Sequence, residues 1–138
     1  MTAVIPVIHY KTIRQSLANA ELAARRGCHG VFLISMEGRD NLLDQAILSV
    51  SARFPELRVG ANFLTLSASE ALRRSLELGI DATWSDCPGV GSRGASEEAL
   101  GVSRVLQAHP RHQFFGPVCR LFLGLNPYFK VPAVADAV

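Results

Sequence analysis

The sequence predicts an α/β fold built from repeated βα units with parallel strands. Short apolar runs alternate with amphipathic stretches, and the runs begin about 24–31 residues apart, the length of a short βα unit. Two of the helix exits share a glycine, two connecting residues and a following strand. Such a repeat forms a parallel sheet with right-handed crossovers. A length of 138 residues suits one core, so we expect a single α/β domain over residues 1–138.

The first unit begins with the apolar run Val4–His9 and continues into a helix over about residues 12–26. Thr12 and Gln15 have the spacing of a capping box, in which each side chain satisfies a free backbone N–H of the first turn. Gly27 is suited to end the helix, because glycine readily adopts the left-handed conformation found there.

The second unit pairs the run Gly30–Ser35 with a helix over Asp40–Phe54. The run has no polar interruption in its centre, which is typical of a strand covered on both faces. Asp40 is placed to cap the helix, and Leu57–Phe63 is the third predicted strand.

The remaining units are shorter but follow the same alternation. Ser67 and Glu70 predict a second capping box, and the helix that they begin runs to Gly79. The other predicted elements are a strand over Ile80–Trp84, a loop over Ser85–Gly94, a helix that ends before Pro110 and a strand over Gln113–Val118. Residues 119–138 have no clean period and form an atypical tail.

Two architectures fit five parallel βα units. A five-stranded, doubly wound open sheet is one, since a complete eight-stranded barrel needs about 250 residues and at least about 200. The strand ends favour a partial TIM-barrel-like fold instead: a histidine closes strand one, an acid follows strand two, and strand three contains G-x-N-x-L. These positions are His9, Glu37, Gly60, Asn62 and Leu64.

On these residues the chain resembles the BtpA family, predicted TIM barrels named for a cyanobacterial protein involved in the accumulation of photosystem I. The resemblance covers about residues 3–118 and implies a TIM-barrel fold with its site at the strand ends. Gly38 and Thr65-Leu66 depart from the family pattern, where polar residues are usual. Family members are much longer, and a truncated or frameshifted gene is one explanation of the tail.

Polar side chains collect at the predicted carboxyl ends of the strands, where parallel α/β proteins bind ligands. We predict catalytic roles for His9, Glu37 and Asp86. A histidine titrates near neutral pH and suits acid–base work, while two carboxylates suit a base and its partner or a divalent cation. Asn62 is a candidate ligand contact or a structural polar group in an apolar strand. Asp86 should point to the same side as Trp84, because strand side chains alternate.

The glycine-rich segment Gly89–Gly94 follows the fourth strand. It satisfies the letters of G-x-G-x-x-G but follows the wrong strand for a dinucleotide site and lacks the downstream acid that holds a ribose. A mobile loop or a simple phosphate contact fits better. We predict Gly91 and Arg93 as substrate-binding residues on the second interpretation.

Composition excludes several functional classes. A formal net charge of +2 without charge blocks argues against nucleic acid, and no apolar run is long enough for a transmembrane segment. With no signal peptide apparent, we expect a cytoplasmic location. Cys28, Cys87 and Cys119 form no CxxC pair, so neither a disulfide framework nor a zinc site is indicated. No motif names a metal or a cofactor.

Two functions are compatible with these residues. One is a BtpA-like small-molecule enzyme, or an enzyme remnant, in which His9 transfers a proton beside a carbonyl or phosphorylated ligand. The other is a non-catalytic assembly or biogenesis module that forms a homo-oligomer or binds a partner chain, because a partial barrel exposes strand edges and an apolar face.

Overall fold

A computed structural model of the chain describes residues 2–91 and 94–117. Within these residues the strands are β1 (Val7–His9), β2 (Gly30–Ile34), β3 (Arg58–Asn62), β4 (Ala82–Trp84), β5 (Val90–Gly91), β6 (Gly94–Ala95) and β7 (Gln113–Phe115). The helices are α1 (Ile13–Arg25), α2 (Asp40–Arg53), α3 (Ala68–Glu77) and α4 (Glu97–Ala108). The alternation predicted from the sequence is confirmed, and the predicted tail over 119–138 lies outside the described residues.

The main sheet has the strand order β1-β2-β3-β4-β7, and all of its neighbouring strands are parallel. Each right-handed crossover therefore moves to the next strand in the same direction, which places all the connecting helices on one face. A doubly wound sheet needs a reversal of strand order to put helices on both faces. The alternative of a doubly wound open sheet is wrong, and the order is that of successive strands of a βα barrel.

The helix-facing side of the sheet forms the core. One register row on this side contains Ile8, Leu33, Ala61, Thr83 and Phe114. The first four of these side chains are buried, and apolar residues of α1 and α2 pack over the β1–β3 part of the row. Burial of this apolar surface is the main force that holds the helices on the sheet.

On the opposite side of the sheet, which we call the open face, two aromatic side chains pack against each other. Phe32 of β2 lies across Gly60 of β3, where a Cβ atom would be 2.3 Å from the ring. The Phe32 ring then meets Phe115 of β7 edge to face, with centroids 5.9 Å apart. Because β3 and β4 lie between these strands, a flat sheet would separate the two backbones by about 14 Å. The absence of a side chain at position 60 lets the aromatic pair close this distance.

Of the two predicted capping boxes, the one at α3 forms in full and the one at α1 forms in half. Ser67 and Glu70 form both hydrogen bonds of the predicted capping box of α3, which is confirmed. At α1, Thr12 accepts from the Gln15 backbone N–H at 3.1 Å, but the Gln15 side chain accepts from Lys11 instead. Only the threonine half of that box forms.

The predicted cap of α2 is wrong. Arg39 holds the N-cap position without a side-chain hydrogen bond, and Asp40 is the first helical residue. The Asp40 carboxylate is captured by the loop after β3, where its Oδ2 accepts from the backbone N–H and the hydroxyl of Thr65 at 2.8 and 2.6 Å. A contact between distant segments thus overrides the local cap.

Among residues 2–91 and 94–117, none of the helices has the length and apolar character that crossing a bilayer requires.

Candidate functional site

A second register row crosses the open face at the carboxyl ends of the strands. It contains His9, Ile34, Asn62 and Trp84, which are aligned from β1 to β4. Parallel α/β folds bind ligands at this end, because the loops that follow the strands are free to vary there. The row therefore brings two of the predicted site residues, His9 and Asn62, to the expected edge of the sheet.

Asp86 lies two residues beyond β4 and completes a buried hydrogen-bonded cluster. Its Oδ1 accepts from the Trp84 indole N–H at 2.7 Å and from the Asn62 amide at 3.2 Å. Asn62 is 8% exposed and Asp86 is 7% exposed. A carboxylate at this depth needs hydrogen-bond donors to offset its lost hydration, and these two side chains supply them. The prediction that Asp86 points to the same side as Trp84 is confirmed.

The loop that carries Asp86 is fixed against β7. The Ser85 backbone N–H donates to the carbonyl of Phe115 at 2.9 Å, and the Ser85 hydroxyl accepts from the Cys87 N–H at 3.3 Å. At Gly116, just after β7, a Cβ atom would lie 2.5 Å from the Ser85 carbonyl oxygen, so the backbones of the two segments are in close contact. Two adjacent strands thus determine where the Asp86 carboxylate stands.

His9 stands at the other end of the same row, with an exposed side chain. Its backbone carbonyl accepts from the Gln15 side chain at 3.1 Å, which ties the end of β1 to the start of α1. Two strand spacings separate His9 from Asn62, a distance of about 10 Å, with Ile34 between them. This gap has the width of a small organic molecule.

Glu37 belongs to an exposed ion-pair cluster in the loop after β2. Its carboxylate oxygens contact Lys11 at 2.9 Å and Arg39 at 3.0 Å. The hydrogen bond from Lys11, with the nearby positive charges of Arg39 and Lys11, holds the pKa of the Glu37 carboxyl below its ordinary value. Glu37 is therefore ionised at neutral pH, which suits an electrostatic contact better than proton transfer.

The glycine-rich segment forms a short antiparallel ribbon that the sequence did not predict. Gly91 of β5 pairs with Gly94 of β6. Gly89 has a φ of +79°, and a Cβ there would lie 2.2 Å from the hydroxyl of Ser96, the N-cap of α4. A side chain at position 89 would therefore collide with the start of α4, and glycine allows the ribbon to lie against this helix. The predicted contact residue Arg93 lies outside the described residues.

No set of three or more His, Cys, Asp or Glu side chains in residues 2–91 and 94–117 is grouped as a metal site would require.

A second polar cluster lies at the amino end of β4. Its central residue is His112, which lies just before β7 and is half-buried. Its Nε2 is 2.8 Å from the Thr83 hydroxyl and its Nδ1 is 3.0 Å from the Ile80 carbonyl. Partial burial lowers the pKa of His112 below its ordinary value, although the bond to Ile80 and the charge of Asp81 oppose this. The sequence showed no spacing that would reveal these contacts.

Solved structures with a similar fold are TIM-barrel enzymes. A candidate deoxyribose-phosphate aldolase from Coccidioides immitis has a TM-score of 0.55 and 18% identity, over 83% of this chain and 50% of its own. A mandelate racemase/muconate lactonizing enzyme from Roseiflexus sp. has a TM-score of 0.54 and 13% identity, over 83% of this chain and 33% of its own. The fold is TIM-barrel-like. The chain spans half of the first structure and a third of the second.

At 18% and 13% sequence identity, the similarity to these structures shows the fold alone. No protein-family model and no curated protein sequence matches the chain.

Proposed function

We propose that the chain is a BtpA-like, TIM-barrel-type enzyme that acts on a small carbonyl or phosphorylated ligand at the carboxyl ends of β1–β4. The observation that carries the proposal is the buried Asp86 carboxylate, which Trp84 and Asn62 hold at this edge. A buried charge with dedicated donors contributes little net stability and is more useful for recognition or chemistry.

The ligand in this proposal lies over Ile34, between His9 and Asn62. An amide has two N–H donors and a carbonyl acceptor, and the bond to Asp86 uses one donor. The rest of the Asn62 amide can then orient a carbonyl or hydroxyl group. The exposed imidazole of His9 would accept a proton from the carbon beside the carbonyl and return it to the product. Asp86 would hold the Asn62 amide in place and supply negative charge at the end of the ligand farther from His9.

Gly91 and Arg93 are proposed contacts for a phosphoryl group, since the segment between β4 and α4 lies beyond the same strand ends. Glu37, with its paired Lys11 and Arg39, would set the charge at the rim beside β2.

Calorimetry and proton exchange test binding and chemistry separately. Dihydroxyacetone phosphate carries both a carbonyl and a phosphoryl group. Dihydroxyacetone carries only the carbonyl, and inorganic phosphate represents only the phosphoryl group. We expect saturable binding of the first compound and exchange of its carbon-bound protons in D₂O, followed by NMR. Asn62→Leu should abolish binding, and His9→Ala should retain binding while losing exchange.

Glu56→Gln, at an exposed loop position, serves as the matched control and should leave both measurements unchanged. Failure of all three compounds to bind, or equal binding by Asn62→Leu and the unaltered chain, would reject the proposed site.

Self-association is a second candidate function, and one specific observation favours it. Val7 on the open face is 56% exposed, and it lies on β1, which pairs only with β2 among the described strands. Apolar side chains beside an unpaired strand edge promote contact with another chain. We expect a concentration-dependent dimer in sedimentation velocity that Val7→Lys disrupts. A monomer at every concentration would reject this second function.

A further inference from the structure

The side chain of Gln15, in the first turn of α1, holds the segment in which β1 ends. Its Nε2 donates to the backbone carbonyl of His9 at 3.1 Å, and its Oε1 accepts from the backbone N–H of Lys11 at 3.2 Å. One amide thus bonds the two residues on either side of Tyr10. The Tyr10 N–H donates to the Ile34 carbonyl at 2.8 Å, just as β2 ends. The segment is therefore held from both of its edges.

The two Gln15 bonds have the pattern of a parallel strand pair. In a parallel ladder, one residue donates its N–H to a carbonyl of the neighbouring strand and accepts from the N–H two residues further along. Because the Tyr10 N–H points to β2, the bonded groups of residues 9 and 11 point to the other edge of β1. No other described strand pairs with β1 at that edge. The Gln15 amide therefore occupies the position of a neighbouring strand.

This arrangement replaces the local helix cap that the sequence favours. In a complete capping box, the Gln15 side chain would bond to the backbone N–H of Thr12. The Thr12 side chain makes its half of the box, whereas the Gln15 amide bonds to the end of β1. Departures from a strong local rule are expected mainly where a residue has a functional task.

His9 is the residue that this contact places. Its carbonyl is fixed by Gln15, and its imidazole belongs to the same row of the open face as Asn62. A general base must lie within hydrogen-bond reach of the proton that it removes, and a displacement of about 1 Å can lower a rate about 100-fold. We propose that Gln15 is a positioning residue that takes the place of a neighbouring strand and holds His9 for proton transfer, a role that rests on the proposed function of the open face.

Gln15→Leu in the full chain tests this role, since leucine is similar in size and is a good helix former. Solvent exchange of the Lys11 backbone N–H, measured by NMR, should accelerate at least about tenfold because its acceptor is lost. The Tyr10 N–H should stay protected by β2. In D₂O, proton exchange of saturating dihydroxyacetone phosphate should slow at least about tenfold. The Kd from calorimetry should change less than about twofold, because Asn62 is untouched.

Gln15→Glu separates the two bonds and serves as a second variant should Gln15→Leu fail to fold. At neutral pH a glutamate retains an acceptor for the Lys11 N–H but has no donor for the His9 carbonyl. We expect Lys11 to stay protected while proton exchange of the ligand slows. Gln107→Leu makes the matched change at an exposed position of α4 and should leave all of these quantities unchanged. Circular dichroism establishes that each variant is folded.

Three results would overturn the positioning role. They are an unchanged Lys11 exchange rate in folded Gln15→Leu, an unchanged rate of ligand proton exchange, and a loss of affinity as large as the loss of rate. If the unaltered chain does not exchange the protons of the ligand, the proposed function fails and the role of Gln15 in proton transfer fails with it. Lys11 exchange then still decides whether the Gln15 amide occupies the edge of β1.

Discussion

The two faces of the main sheet are built on different physical principles. The helix face is a continuous apolar layer in which Leu33 and Ala61 are completely buried. The open face combines an exposed Val7, an aromatic pair and, at its carboxyl edge, the polar cluster around Asp86. Stability therefore resides mainly in the first face, and the chemical groups of the site are concentrated on the second.

One short strand contributes both to the stability of the fold and to the candidate site. In β3, Ala61 faces the helices while Gly60 and Asn62 face the other way. Substitution of alternate residues should accordingly change either stability or ligand binding.

Leu33→Ala should produce the largest loss of stability. A fully buried leucine replaced by alanine leaves a cavity, and such changes lower the free energy of unfolding by about 2–5 kcal/mol. The matched change Val7→Ala on the open face should lower it by less than about 0.5 kcal/mol. Urea unfolding of both variants checks the contrast, and similar losses would mean that the open face is also a packed core.

Gly60→Ala should have an intermediate effect. The new Cβ would lie 2.3 Å from the Phe32 ring, so the ring must leave its place over β3 and its contact with Phe115. We expect a loss of about 1–3 kcal/mol in the free energy of unfolding. Gly101→Ala in α4 meets no atom within 4 Å and should instead stabilise the chain by about 0.5–1 kcal/mol. A neutral Gly60→Ala variant would show that Phe32 is not held there.

The smallest effect concerns pH and the cluster at the amino end of β4. Because the folded state lowers the pKa of His112, the unfolded chain binds a proton more readily there. This group therefore favours folding fully above pH 6.5 and loses that contribution as the pH falls through the folded-state pKa. The urea midpoint should drop less between pH 7.5 and 5 in His112→Gln than in the control His9→Gln, which replaces an exposed histidine on β1. Equal drops in the urea midpoints of the two variants would contradict a lowered pKa of His112 in the folded state.

Local signals in the sequence were sufficient to predict most of the fold. The glycines that end α1 and α3 both have positive φ angles, and the Ser67 capping box forms in full. The doubly wound alternative could not be excluded beforehand, because strand order depends on contacts between distant segments. Asp40 shows the same limit, since its partner Thr65 lies in another loop.

The candidate site was only partly predictable. Period-two alternation placed Asp86 with Trp84, and the polarity of Asn62 within an apolar strand marked it as unusual. The hydrogen bond between Asn62 and Asp86 depends on how β3 and β4 pair, and this pairing cannot be deduced from either segment alone. The partners of Glu37, namely Lys11 and Arg39, and the burial of His112 likewise arise only from tertiary packing.

The central claim, that a small ligand binds beside the Asp86 cluster, has a natural reporter. Trp84 is the single tryptophan of the chain, and its indole N–H bonds to Asp86 at 2.7 Å. The decisive measurement is the ¹H–¹⁵N signal of this indole during titration with dihydroxyacetone phosphate. We expect a saturable shift in the unaltered chain and no saturable shift in a folded Asp86→Asn variant. A signal that stays fixed in the unaltered chain, or moves equally in both, would contradict the claim.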